Sequence, residues 1–355
     1  MVSSGFRIAN QPCSSHRSGV SWRTPSRHST RGRRRASWDS GSSRVDEREQ
    51  QMKSVDRDLV ELSDLAPEAI RKLLHRADQM RTQQVPLWRD SVRHVGLIFA
   101  EPSTRTSLSF VAAIDRLGAY PLQLDAENSS FSKGETLLDT ASTLESIGAE
   151  SIVVRDGNEM SARSLAEHCD AGVINAGGGT RAHPTQGLLD ALTLLDEFGD
   201  LEGKTVGIVG DVLRSRVARS DIVAFQALGA RVVLVAPDYF QDKTLSEAGV
   251  DLESKLDDAL PHLDAIQMLR IQKERGDGDP EHNLQNYVRD YRLDERRLAL
   301  ARPSLVVLHP GPMNREVEIT SGVADGPRSR IRQQVANGVP VRMAVLERAL
   351  GQASG

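Results

Sequence analysis

The stretch Val95-Gly96-Leu97-Ile98-Phe99-Ala100-Glu101-Pro102-Ser103-Thr104-Arg105-Thr106-Ser107-Leu108-Ser109-Phe110 decides the fold. Its apolar first five residues read as a buried strand. Leu108, Val111, Ala112, Ile114 and Leu117 then recur at helical spacing. Ser103-Thr104-Arg105-Thr106 therefore sits where a strand feeds the first turn of a helix. Such a turn carries unpaired backbone N–H groups and the positive end of the helix dipole. The hydroxyls of Ser103, Thr104 and Thr106 and the guanidinium of Arg105 add donors, so the turn suits an anion, most simply a phosphate. A Ser or Thr before a helix is commonly no more than an N-cap, and this segment alone leaves both readings open. It is not a Walker loop, because the Gly-rich run and the Gly-Lys pair are missing.

Outward from this turn, strand-like runs alternate with helical patterns. Strands are expected near 95–100, 120–124, 151–154 and 172–175, with helices near 104–117, 135–147 and 160–168 between them. Upstream, Ser63-Asp64 precedes a helical pattern through Ile70, Leu73, Leu74 and Ala77. A second series of strands begins at Lys204–Gly210 and continues at Arg231–Val235, Asp264–Met268 and Leu305–Leu308. Such alternation means an α/β protein with mainly parallel sheets and helices on both faces. The pattern divides into an extension over 1–50, a first domain over 51–182, a second over 183–332 and a closing segment over 333–355. In the last, Val339 to Leu350 reads as a helix. Gly207-Ile208-Val209-Gly210-Asp211 ends a strand but lacks the glycine spacing of a dinucleotide fingerprint, so no nicotinamide cofactor is expected.

The chain has 355 residues, enough for two domains of ordinary size, with 39% hydrophobic and 26% charged residues. No apolar run approaches the roughly 20 residues of a membrane span. Cys13 and Cys169 cannot build a disulfide framework, and no Cys/His cluster has zinc spacing, so no metal is expected. Residues 1–44 hold nine Arg and a single acid, Asp39, so this segment carries about +8 against −4 for the whole chain. The remainder is strongly acidic, which argues against nucleic acid as the main partner and for small anions gathered by a local basic pocket. The Ser/Arg-rich extension has no periodicity with which to bury surface. It reads as an unstructured extension or a start upstream of Met52, with an organelle transit peptide and a nucleic-acid-binding arm as alternatives. A cytoplasmic protein is expected, or an organellar one if the extension is a transit peptide.

Ser103-Thr104-Arg105-Thr106 followed by Ser109-Phe110 resembles the carbamoyl-phosphate motif of the aspartate/ornithine transcarbamoylase family. Further matches follow in that family's order. They are Ser129–Leu137, Arg155, His183-Pro184-Thr185-Gln186, Gly210–Ser220, Leu269–Arg275 and His309-Pro310-Gly311-Pro312. Together they span about residues 53 to 350. The resemblance implies transfer of a carbamoyl group from carbamoyl phosphate to the amine of an amino acid, with no cofactor and no metal. It also implies a C-terminal helix that returns to the first domain. Ser103, Thr104, Arg105 and Thr106 would cradle the phosphate. Arg105, Thr106, Arg155 and His183 would converge on the developing oxyanion, and Arg155 and His183 would also contact carbamoyl phosphate. Gln186 and the carbonyls of Pro310 and Gly311 would hold the carbamoyl NH₂. Ser129 and Lys133 would reach in from an adjacent subunit, making a homotrimer with shared sites the minimal active unit. Without the resemblance, a strand-end Arg155 is a surface charge and His183 a capping residue.

For the second substrate, Lys133, Arg216, Arg270 and Gln272 would hold aspartate, Arg216 at the α-carboxylate and Arg270 with Gln272 at the side-chain carboxylate. A guanidinium there suits aspartate and repels the terminal amine of ornithine. His-Pro-Gly-Pro also replaces the His-Cys-Leu-Pro typical of ornithine enzymes. The product would be N-carbamoyl-L-aspartate, an early intermediate of pyrimidine and UMP biosynthesis. A regulatory chain or a dihydroorotase are the further partners left open. Four departures stand out: Ser107 and Val111 where the family usually has Arg and Glu, Gly178 in place of Asp, and Glu316 in place of Gly. A transcarbamoylase for another amine and a non-catalytic subunit are the competing readings, and retention of every expected site residue argues against the second.

Overall fold

The computed structural model describes residues 57–82, 88, 92–124, 134–271 and 280–351. Within them lie two sheets, and every strand pairing in both is parallel. The first sheet contains β1 (His94–Phe99), β2 (Tyr120–Gln123), β3 (Ala149–Asp156) and β4 (Gly172–Gly178), in spatial order β2-β1-β3-β4. The second contains β5 (Thr205–Val209), β6 (Arg231–Val235), β7 (Asp251–Glu253), β8 (Ala265–Met268) and β9 (Val306–Leu308), in order β7-β6-β5-β8-β9. The α/β class expected from the alternation is the observed one, and β7 is the strand the sequence did not announce. It is short and carries two exposed residues, so it has no apolar signature.

Helices α1 (Pro67–Met80), α2 (Thr104–Leu117), α3 (Leu137–Ile147), α4 (Ser161–His168), α5 (Pro184–Phe198), α6 (Arg216–Ala227), α7 (Pro280–Tyr291) and α8 (Ile331–Leu350) cover the sheets. Their ends follow local chemistry. Thr136 and Asp139 form a reciprocal capping box at the start of α3. Gly118 closes α2 in the left-handed conformation. Successive residues of β1 point to opposite faces, and the packing shows it. Leu97 joins Phe110, Ile114, Leu74 and Leu346 on one face, while Ile98 joins Ala141, Leu144 and Leu165 on the other.

Helix α5 links the two sheets. It packs on β4 and α8 and also on α6, so one apolar cluster runs from Leu97 and Ile174 through Leu188 and Ile222 to Ile208 and Leu234. Helix α8 packs on α1, α2 and the β3–β4 side of the first sheet, which is the return expected of a closing helix. It begins at Ile331 rather than Val339 and carries Pro340 inside. The first half escaped the periodicity because its inward residues, Gln334 and Asn337, are polar. Both are buried and hydrogen-bonded, Gln334 to Asp190 and Asn337 to Thr193 and Asp196. Upstream, a single 3₁₀ turn (Leu62–Asp64) precedes α1, which starts three residues later with Pro67 in its first turn.

Candidate active site

In each sheet the strand order reverses once. The first switch lies between β1 and β3, the second between β5 and β8. Ligands of open parallel sheets bind beyond the carboxyl ends of strands at such points. Here both switch points open onto one cleft of about 430 Å³. The first contributes Pro102 to Thr106 after β1 and Arg155 at the end of β3. The second contributes Ser215 and Arg216 after β5 and Leu269 and Arg270 after β8. His183 and Gln186 enter from the start of α5, His309 to Pro312 from the segment after β9, and Gln334 and Arg342 from α8. Among the described residues five arginines line the cleft and no carboxylate does. The site is therefore a local well of positive potential in an acidic chain.

The phosphate-type turn has the geometry its sequence suggested. Ser103 is the residue before α2, with φ −157° and ψ 89°, and its hydroxyl makes no capping hydrogen bond. Ser103 and the first-turn residues Thr104, Arg105 and Thr106 all line the cleft, where a helix start offers unpaired N–H groups. Burial lowers the pKa of Arg105, though a guanidinium stays charged. Two glycines make room for cations. Gly311 (φ +66°) lies under Arg105, and a Cβ there would come within 3.1 Å of the guanidinium carbon. Gly177 (φ +117°) lies where Arg155 and Arg216 converge, a Cβ there falling 3.1 Å from Nη1 of the first and 3.3 Å from Cζ of the second. Glu101 offsets that crowding. Its carboxylate lies 3.2 Å from Nη1 of Arg216 and 3.8 Å from Nε of Arg155. Arg155 also donates to the Ala176 carbonyl at 3.2 Å, and burial, followed by the Arg216 charge, pulls its pKa down to about 10.

His183 is buried at the head of α5. Its backbone N–H donates to Ser220 Oγ at 2.9 Å, while its Nδ1 has no partner among the described residues. Burial, then the charges of Arg155, Arg216 and Arg342, hold its pKa well below the usual imidazole range, so the ring is neutral at pH 7. Gln186 gives its amide N–H groups to Asp190, at 2.9 and 3.1 Å, which leaves its oxygen as the acceptor toward the cleft. His309 accepts the Gly311 N–H at Nδ1 (2.9 Å), so Nε2 carries the proton and donates to Glu318 at 3.1 Å. This pair anchors the turn bearing the Pro310 and Gly311 carbonyls.

Of the residues expected at the site, Ser103, Thr104, Arg105, Thr106, Arg155, His183, Gln186, Arg216, Arg270, Pro310 and Gly311 all line this cleft. Ser129, Lys133 and Gln272 lie outside the described residues. Sequence reasoning passed over Glu101, Arg342 and the buried carboxyls behind Gln186. Arg342 did leave a signal, a lone cation in the apolar run Val341 to Leu346. It is buried, rests 5.1 Å from the Phe110 ring centre and donates to Gly338 O and Thr185 Oγ1. Glu316 does adopt φ 66°, the backbone a Gly would take most cheaply there. Its carboxylate accepts the Ser321 N–H at 2.9 Å.

Two parallel sheets that turn their switch points onto one arginine-lined cleft define a two-domain protein for small polyanions. The chain belongs to the aspartate/ornithine carbamoyltransferase family. Residues 57–196 match that family's carbamoyl-P binding domain and residues 202–349 its Asp/Orn binding domain. The aspartate carbamoyltransferase catalytic subunit of Beijerinckia indica is 49% identical over 298 residues, covering 83% of this chain and 91% of the relative. That of Rhodococcus jostii is 46% identical over 305 residues, covering 82% and 96%. Among solved structures, aspartate transcarbamoylase from Trypanosoma cruzi in complex with carbamoyl phosphate and aspartate superposes with a TM-score of 0.76 at 30% identity, over 83% of this chain and 97% of that one. Ornithine carbamoyltransferase from Pyrococcus furiosus superposes with 0.75 at 29% identity, over 84% and 98%. The backbone is thus shared by both branches of the family, and the amino-acid substrate is a question for side chains.

Proposed function

We propose that this chain transfers the carbamoyl group of carbamoyl phosphate to the amine of L-aspartate, giving N-carbamoyl-L-aspartate and phosphate. The observation that carries the reading is a cleft lined, among the described residues, by five arginines and no acid, with cations on both domains' switch points. Two anionic substrates match that charge; a cationic ornithine side chain beside Arg270 does not. The 49% identical relative is itself named for aspartate.

The residues divide the reaction between them. Ser103, Thr104, Arg105 and Thr106 hold the phosphate, which leaves as charge builds on it. Arg105, Thr106, Arg155 and neutral His183 stabilise the oxyanion that forms when the amine adds to the carbonyl carbon. A neutral imidazole does this as a hydrogen-bond donor, without supplying a proton. The Gln186 oxygen and the carbonyls of Pro310 and Gly311 accept from the carbamoyl NH₂ and fix its plane. Arg216 takes the α-carboxylate, and Arg270 with Gln272 the side-chain carboxylate. Glu101 gives up its contact with Arg216 as that carboxylate arrives. Positioning and fixed charge carry the rate.

Ser129 and Lys133 complete the site from a neighbouring subunit, so the active unit is a homotrimer. The first domain, 51–182, binds carbamoyl phosphate. The second, 183–332, binds aspartate, and residues 333–355 return to the first. The enzyme works in the cytoplasm at an early step of UMP biosynthesis. No helix among the described residues is long and apolar enough to cross a membrane. The test is turnover of carbamoyl phosphate with L-aspartate and with L-ornithine, product identified by mass spectrometry. Carbamoyl-aspartate is expected; turnover with ornithine equal to or better than with aspartate overturns the assignment.

A further inference from the structure

Behind Gln186 lies a polar cluster that the reaction as described does not use. Asp190 of α5 and Asp221 of α6 are both fully buried, and a single amide nitrogen, Nε2 of Gln267, reaches an oxygen of each. Three glutamine amides turn toward them. Gln186 donates to both oxygens of Asp190, Gln334 of α8 donates to Oδ1 at 2.7 Å, and Gln267 of β8 donates to Oδ2 at 2.7 Å and to Asp221 Oδ2 at 3.0 Å. Gln334 in turn accepts the backbone N–H of His309 at 2.9 Å. The cluster therefore grips both halves of the carbamoyl-amide acceptor set, Gln186 on one side and the His309–Pro310 turn on the other.

Two carboxylates cannot both stay charged there. Among the described residues neither makes an ion pair with Lys, Arg or His; Arg342 feels the Asp190 charge only at a distance. An acid saturated by three amide donors keeps its charge, because hydrogen bonds stabilise the ionised form. Asp221 has one such donor, and its Oδ1 is buried with no partner. Two buried carboxyl groups that share one amide nitrogen, with no cation paired to them among the described residues, relieve their repulsion by keeping one proton between the two. Burial first, and then the Asp190 charge, push the Asp221 pKa well above the carboxylate range.

We infer that Asp190 and Asp221 form a one-proton acid pair that positions the carbamoyl-amide acceptors. Asp221 donates its proton to Asp190, and Asp190, an acceptor only, forbids Gln186 from turning its NH₂ toward the substrate. An amide flipped the other way would present a donor to the carbamoyl NH₂. Asp221 is a positioning residue, acting through Asp190 and Gln186. The inference rests on the proposed reaction, since it assigns the group that Gln186 faces.

The test uses the full-length protein and two substitutions. Infrared spectra of the wild type at neutral pH should show a carboxylic-acid C=O band that is absent from Asp221→Asn. In steady-state kinetics, Asp221→Leu, which removes the donor, should lower kcat/KM for carbamoyl phosphate by about tenfold to a hundredfold, the range for a hydrogen bond to a charged group. The KM for aspartate should stay unchanged. Asp221→Asn, which keeps a neutral donor, should restore most of the loss. A merely structural role would lower melting temperature without separating the two substrates. Absence of the band in the wild type overturns the inference, as does an Asn variant as impaired as the Leu variant. Should Asp221→Leu fail to fold, the band and the Asn kinetics still decide. Wild-type turnover of carbamoyl phosphate and aspartate is measured in the same assay, so a failure of the proposed reaction is seen separately.

Discussion

Two side chains in the cleft do different work with the same purpose. In the proposed reaction Arg105 brings a permanent charge to the point where phosphate and oxyanion would meet, and it lies over Gly311 with no side chain between. Arg105→Ala should remove about 2.7–4 kcal/mol of barrier lowering, the cost of deleting one preorganised donor. The fold should survive, because Arg105 lines a cleft rather than a core. Single-turnover rates and a thermal melt check both halves, and wild-type kcat at saturating substrate would refute the role. His183 brings no charge. Its pKa is depressed by burial and by three arginines, so its proton comes on only well below pH 6.5. The dependence of kcat on pH should therefore show no acid limb near 6.5 that belongs to this ring. His183→Ala should lower kcat and leave the limb positions where they are. Loss of a limb near 6.5 in that variant would mean the imidazole works in its charged form.

At the scale of elements, the site depends on how closely α5 approaches α6. Gly187 sits at their contact, and a Cβ there would lie 2.7 Å from the Ser220 carbonyl oxygen and 2.8 Å from its carbon. Backbone cannot swing aside as a side-chain tip can. Gly187→Ala should cost about 1–3 kcal/mol of stability, as overpacking does, measured by denaturant titration. It should also lower kcat, because Ser220 Oγ is the acceptor that holds the His183 N–H. An unchanged midpoint would show that the helices have slack. These elements differ in how far the chain announces them. The β1–α2 turn was legible because an apolar strand abuts a helical stripe, whereas Arg155, Arg216 and Arg270 were legible only through the family resemblance, since a strand-end arginine alone reads as a surface charge. The first half of α8 and the cluster of Asp190, Asp221, Gln267 and Gln334 were not. A buried glutamine or aspartate has the same letter as a solvated one, and only the partner brought by another element makes burial affordable. Arg342 shows the middle case: its apolar neighbours mark it as unusual, but not what it touches.

The whole molecule raises the question of where one site ends and the next begins. Five arginines among the described residues of one chain line the cleft, yet Ser129 and Lys133, the donors expected by resemblance from an adjacent subunit, lie outside those residues. If Lys133 serves a neighbour, each complete site combines Arg105 of one chain with Lys133 of the next. Lys133→Ala and Arg105→Ala should then each be nearly inactive as homotrimers, since every site in either carries one lesion. In a mixed trimer some interfaces unite the Lys133 variant's intact Arg105 with the Arg105 variant's intact Lys133. Random reassembly of equal amounts should restore about a quarter of the sites, because each interface draws one contribution from each of two chains. The same interfaces also create doubly damaged sites, so the recovery is a fixed fraction that grows with neither protein alone. The measurement is activity after dissociation and reassociation of the two inactive proteins, with mixed trimers verified by native mass spectrometry on differently tagged chains. Recovery near that fraction places Lys133 in its neighbour's site. Mixed trimers that stay inactive would mean that Lys133 acts within its own chain or has no part in the reaction.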